Sequence, residues 1–92
     1  MLGYAVFDRS LFEQPFVALL CVSGSHRRLG IGSALMRYIG SICAEDKLFT
    51  STNQSNMPMQ NLCEQLGFIR SGYIENLDEG DPEIIYFKRV RA

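Results

Sequence analysis

The chain is short of the residues that build covalent or metal-held scaffolds. It has one histidine, His26, and three cysteines, at 21, 43 and 63, an odd number with no CxxC spacing. These counts argue against a disulfide framework and against a structural zinc site, so no metal is expected. Reduced thiols in a cytoplasmic protein are the simpler reading. There is no positive excess either: nine basic and ten acidic side chains leave a net charge of −1. That speaks against general phosphate-backbone binding, and no nucleic-acid partner is expected. Long apolar runs are missing. The longest, from Phe16 to Val22, is seven residues, whereas a membrane-spanning helix needs about 20. The start, MLGYAVFDRS, lacks the basic region and apolar core of a signal peptide. Repeats, low-complexity tracts and linkers are absent, and 92 residues are too few for a two-domain enzyme. One domain over 1–92 is expected. A content of 47% hydrophobic and 21% charged residues suits a folded globule with one core.

Periodicity then orders the elements. Residues 2–8 read as a strand ending at a polar turn, and Asp8 to Gln14 as the connection that follows. The run Phe16–Val22 is all apolar, which predicts a central strand covered on both faces. From Gly30 to about Ala44, Ile31, Leu35, Tyr38/Ile39 and Ile42 recur at helix spacing and predict one apolar face. Leu48–Thr52 is a short strand. Asn56 is placed as an N-cap, with Pro58 tolerated in the first turn. Met59, Leu62, Cys63 and Leu66 make the stripe of a second helix, and Gly67 suits its C′ position. Phe68–Ile74 and Ile84–Val90 are two further strands, joined as an antiparallel hairpin by the acidic turn Asp78-Glu79-Gly80-Asp81-Pro82. The expected fold is α/β (α+β): a mixed, mostly antiparallel sheet of about five strands with two helices, in the order β-β-α-β-α-β-β.

The informative stretch is Cys21-Val22-Ser23-Gly24-Ser25-His26-Arg27-Arg28-Leu29-Gly30-Ile31-Gly32-Ser33. A strand runs into a basic, glycine-bearing loop that opens a helix. The first N–H groups of a helix lack internal acceptors and carry the positive end of its dipole. Glycines let an anion approach the backbone closely. Arg27 and Arg28 add charge beside it, and a diphosphate is the natural guest. The segment matches neither GxxxxGK[ST] nor GxGxxG. The alternative is a turn that needs glycine and binds nothing.

The stretch resembles the coenzyme A loop of the GNAT superfamily of N-acetyltransferases, Arg/Gln-x-x-Gly-x-Gly/Ala after a strand ending in Val. Arg27, Gly30 and Gly32 match it, with Val22 at the strand end. Asn56 followed by a helix and then Gly67-Phe68 is similar to a second pattern of that family. The element order also fits, from the family's third strand to its last. Two departures stand out. The family's preceding strand, two helices and strand have no counterpart ahead of Leu2. The Tyr that the family commonly places five residues before the Phe of Gly-Phe, as the acid for the leaving thiolate, is Cys63 here.

The resemblance implies a GNAT-like domain that takes acetyl-CoA. It implies pantetheine pairing with the backbone near Leu20 to Val22, and diphosphate held by Arg27, Arg28, Leu29, Gly30, Ile31, Gly32 and Ser33. Asn56 would touch the pantetheine arm or order a water near the sulfur. The reaction would be direct attack on the thioester by a primary amine of a small molecule or peptide, with oxyanion stabilisation from a backbone N–H. The amine must arrive neutral, so a base or water relay is needed. Glu13, His26, Glu75 and Glu83 are possible by chemistry, and none has a distinguishing context. As catalytic candidates, Asn56 and Cys63 stand on the family pattern, and a thiol with an ordinary pKa of ~8.5 could donate a proton. The competing reading of Cys63 is a small core residue. The five acids between Glu75 and Glu83 either attract a cationic amine or form a solvated turn. Leu2–Asp8 would be an unprotected sheet edge, which predicts a homodimer or larger homo-oligomer. Two further readings remain open: a CoA-binding module without turnover, and a fragment of a longer acetyltransferase.

Overall fold

The computed structural model describes residues 3–22 and 30–90, with the backbone alone at 19, 21 and 22. The order is β1 (Gly3–Leu11), β2 (Gln14–Val22), α1 (Ile31–Ile42), β3 (Lys47–Asn53), α2 (Met57–Gln65), β4 (Ile69–Ile74) and β5 (Glu83–Arg89). This is the expected succession. The strands form one five-stranded sheet in the order β1-β2-β3-β5-β4. Only β2 and β3 pair in parallel; the other three pairings are antiparallel.

The segment 8–14 is not a loose connection. β1 continues to Leu11, which pairs with Gln14, so only Phe12 and Glu13 turn the chain. Both have positive φ, 49° and 62°. A two-residue turn of this hand matches the strand twist, although it usually takes Asn or Gly. The polar residues that suggested a loop lie instead on an exposed strand, where Asp8 accepts hydrogen bonds from the N–H and hydroxyl of Ser10 at 3.0 and 2.7 Å.

Both helices pack on the same face of the sheet. The connections β2-α1-β3 and β3-α2-β4 each join parallel strands moving the same way across it, and right-handed crossovers then share a side. Beneath them lies one core: Met36 and Ile39 from α1, Cys63 and Leu66 around α2, and Val17, Leu48, Ile84 and Tyr86 from the strands. On β3 the buried residues alternate as Leu48, Thr50 and Thr52. The opposite face carries an apolar ladder, since Phe16 pairs with Phe49, Phe49 with Phe87, and Phe87 with Ile69. The rings of Phe49 and Phe87 lie 5.4 Å apart.

Two expectations change here. β2 has a neighbour on each side but is not covered on both faces, because Ala18 is exposed. The buried stripe of α1 is Gly32, Met36 and Ile39, continued by Cys43. Tyr38 and Ile42 stand 62% and 51% exposed. The stripe is rotated by one position, with Gly32 on the buried side and half-buried Gly40 beside Val90. Helix α2 follows expectation. Asn56 caps it by accepting from the Met59 N–H at 3.2 Å. Gly67, at φ 88°, closes it, with bonds from Gly67 N–H to Glu64 O and from Phe68 N–H to Cys63 O. That pair is the Schellman pattern.

Candidate functional site

β2 and β3 share only two rungs, Phe16 with Phe49 and Val17 with Thr50. Beyond them β2 stays with β1 as far as Val22 opposite Gly3. β3 stays with β5 as far as Asn53 opposite Glu83. The two parallel strands therefore part and leave a wedge at their carboxyl ends. The cause lies in the register of β1 with β2. Val6 faces Leu19 while Phe7 faces Val17, so Ala18 is an extra residue on β2. Such a bulge bends its strand and sharpens its twist, and this one falls where β2 leaves β3. The last rung is closed by the Thr50 hydroxyl, which donates to the Val17 carbonyl at 3.0 Å. Among the described residues, backbone groups on the β3 side of β2 have no sheet partner from Ala18 onward.

Parallel strands bring both following helices to this end of the sheet, the usual place for ligands in such folds. Gly30 is the N-cap of α1, at φ 76°, a left-handed conformation that suits glycine. It offers no side-chain cap, and the first turn holds no acidic residue. The first internal bond runs from Ala34 N–H to Gly30 O. The N–H groups of Ile31, Gly32 and Ser33 precede it and lack intrahelical acceptors. Gly32 is buried, and Ile31 and Ser33 are half-buried. Arg27, Arg28, Leu29 and His26 lie outside the described residues. Leu20 packs against the core; of Val22 only the backbone is described. Asn56 starts α2 at the same end, with Oδ1 occupied by its cap and no hydrogen bond at Nδ2 among the described residues.

Cys63 belongs to the core cluster that also holds Val17, with Leu20 packed against it. It is fully buried in the core, and burial, reinforced by the charge of Glu64, pushes its thiol up to about 12. Tyr86, also fully buried, has its phenol raised by burial against the opposing influence of Arg70. Its hydroxyl finds no hydrogen-bond partner among the described residues. Of the carboxylates proposed as bases, Glu13 is exposed at the hairpin turn and Glu75 is exposed past the end of β4. Glu83 is half-buried opposite Asn53 and accepts from the Ser51 hydroxyl at 2.7 Å. Tyr73 lies 66% exposed on β4. Among the described residues no three of His, Cys, Asp and Glu are grouped to hold a metal ion, and no helix is long and apolar enough to cross a membrane.

The acidic turn does a job that charge counting missed. Asp81 accepts from the N–H and hydroxyl of Ser55 at 2.9 and 2.6 Å. Asp78 accepts from Asn53 Nδ2 at 2.8 Å. The turn thus fastens the β3–α2 loop that carries Asn56. Gln60, another residue sequence reasoning passed over, is buried on α2. It donates to the carbonyls of Asn53 and Gln54 and accepts from Arg70 at 3.1 Å. Its signal was a polar residue one position after the apolar Met59, on the edge of the stripe.

Known proteins share this arrangement. The family described as Acetyltransferase (GNAT) family matches residues 1–68. A GNAT-family acetyltransferase from Bacillus cereus ATCC 10987 is 46% identical, with a TM-score of 0.89 over 95% of this chain and 61% of that one. A Bacillus anthracis protein described as a streptothricin acetyltransferase, solved in complex with acetyl coenzyme A, is 17% identical, with a TM-score of 0.86 over 97% of this chain and 56% of that one. The ribosomal-protein-S18-alanine N-acetyltransferase of Escherichia coli is 19% identical, with a TM-score of 0.85 over all of this chain and 63% of that one. The chain thus spans about three-fifths of the length of these structures. A comparison with curated proteins gave no match. The family match over most of the chain and the close Bacillus cereus structure agree with the wedge and the open helix N-terminus: the chain belongs to the GNAT acetyltransferase family.

Proposed function

We propose that the chain binds acetyl-CoA in the wedge between β2 and β3 and moves its acetyl group to a primary amine of a small molecule or peptide. The observation that carries this reading is the loss of pairing after Val17 and Thr50 at the Ala18 bulge. It frees a strand edge for the pantetheine amides near Leu20 to Val22. The N–H groups of Ile31, Gly32 and Ser33, with Arg27, Arg28 and Leu29 ahead of Gly30, would hold the diphosphate. A free N–H on β2 would polarise the thioester carbonyl. Asn56 would reach the pantetheine arm or a water through Nδ2. The neutral amine attacks directly and the thiolate departs. Glu83, one strand from the wedge, is the carboxylate best placed to accept the amine proton through water. Cys63 is a core residue rather than the acid in this scheme, because it is fully buried and burial pushes its thiol up to about 12. The buried thiols Cys43 and Cys63 fit a reducing compartment, and we assign the protein to the cytoplasm. We also propose a homodimer, because β1 ends the strand order and exposes Val6 and Phe7.

Calorimetry with CoA tests the binding step. Gly32→Glu places a carboxylate among the diphosphate donors. Ser33→Glu does the same from a half-exposed position and suits the helix dipole, so the fold should survive. Each should weaken CoA at least tenfold. Unchanged affinity in Ser33→Glu would sink the reading. Release of free thiol from acetyl-CoA with an amine panel tests turnover; binding without release reduces the chain to a CoA-binding module. Light scattering that shows a monodisperse 10.4 kDa species rejects the dimer.

A further inference from the structure

A second cavity lies away from the wedge. It measures about 390 Å³ and is bounded by Gln54, Arg70, Tyr73, Glu75, Pro82 and Ile84. In the strand order β5 and β4 lie beyond β3, so this cavity stands on the far side of the sheet from the β2–β3 opening. Register fixes its face. Arg70 lies opposite Tyr86 and Tyr73 opposite Ile84, and both partners belong to the core under the helices. The bulge between Arg70 and Gly72 shifts the register there, with Gly72 at φ 141°. Without that extra residue Arg70 and Tyr73 would point to opposite faces. The bulge turns both into one cavity.

The polar groups are arranged by the fold. Arg70 is held by the buried Gln60, whose Oε1 accepts from it at 3.1 Å, and it lies 3.8 Å from Glu64. A guanidinium has five donors, so most remain for a ligand. Glu75 has no hydrogen-bond or ion-pair partner among the described residues, nor does the Tyr73 hydroxyl. The cavity thus offers a held cation, an unpaired carboxylate, and apolar walls from Ile84 and Pro82. Its volume is at the small end of ligand pockets.

We propose that this cavity binds a small zwitterion bearing an α-amino and a carboxylate group, a free amino acid with an aliphatic side chain. Arg70 takes the carboxylate in a two-point contact. Glu75 takes the ammonium, and the side chain lies on Ile84 and Pro82. The cavity shares no residue with the groups proposed to hold CoA, so binding there can be measured without acetyl-CoA.

The test is an NMR titration of the whole chain with L-leucine, without acetyl-CoA. Saturable shifts at cavity residues are expected, with a dissociation constant in the millimolar range or below. N-acetyl-L-leucine, which lacks the ammonium, and L-leucinamide, which lacks the carboxylate, should each bind at least tenfold more weakly. Glu75→Gln removes a charge from an exposed, unpartnered side chain and should weaken L-leucine at least tenfold with the fold unchanged. Arg70→Gln should do the same, while Ser33→Glu should leave this binding intact. Equal binding of all three probes, wild-type affinity in Glu75→Gln, or no saturable shift up to about 20 mM, well above the millimolar affinity expected, would overturn the proposal.

Discussion

Cys63→Ala separates a packing residue from a catalytic acid. The thiol is fully buried in the core cluster. Removing one methylene-sized group costs about 0.8 kcal/mol of transfer free energy, plus a cavity contribution where neighbours fail to close. At pH 7.5 the variant should therefore lose about 1 kcal/mol. The pH dependence is more telling. Burial lifts the folded thiol from 9.0 to about 12. A raised folded pKa contributes stability that is complete below the unfolded value and is lost as pH rises toward the folded one. Above pH 9 the unfolded chain sheds this proton and the folded chain keeps it, so wild type should lose about 1.4 kcal/mol per pH unit relative to Cys63→Ala. By pH 10.5 the difference amounts to about 2 kcal/mol, enough to reverse the order of the two proteins. Urea unfolding of both at pH 7.5, 9 and 10.5 measures it, and other titrating groups cancel in the comparison. A stability difference that stays constant across this range would show that the thiol titrates in the folded chain as it does in the unfolded one. The placement of Cys63 as a closed core residue would then be wrong, and its role as acid would be open again. Acetyl transfer at pH 7.5 should change less than threefold in Cys63→Ala, a tolerance that corresponds to under about 0.7 kcal/mol of barrier.

Thr50→Val removes the hydroxyl that bonds the Val17 carbonyl; stability should fall by about 1 kcal/mol and the KM for acetyl-CoA should rise, with unchanged urea midpoint as the contrary result. Tyr86→Phe deletes a buried hydroxyl with no hydrogen-bond partner among the described residues and should leave the midpoint unchanged or raise it, by up to about 1 kcal/mol; a clear loss would show that the hydroxyl is bonded, with Arg70 the nearest candidate. Asp81→Ala frees Ser55 and should speed amide exchange across residues 54–57 while β1 and β2 keep their protection. Glu83→Gln should lower kcat with little effect on CoA affinity, and a wild-type pH profile for kcat would remove Glu83 as the base.

The sequence alone determined the succession of elements. Period two against period 3.6 distinguishes β3 from α2, and local chemistry marks the ends: Asn56 caps with its own side chain, and Gly67 accepts a left-handed φ. The open N-terminus of α1 is also local, since Gly30 carries no capping group. Other features arise only between segments far apart in the chain. The buried stripe of α1 depends on how the helix is set against the sheet, with Gly32 inside and Tyr38 outside. The turn at Phe12 and Glu13 contradicts local preference, because pairing of β1 with β2 fixes the register on both sides of it. The anchoring of the β3–α2 loop by Asp78 and Asp81 joins residues more than 20 positions apart. The wedge itself comes from one unpaired residue, Ala18, whose effect exists only because β1 pulls on one side of β2 while β3 runs straight along β5 on the other. A bulge is a mismatch between two strands, and a single strand's sequence does not contain it.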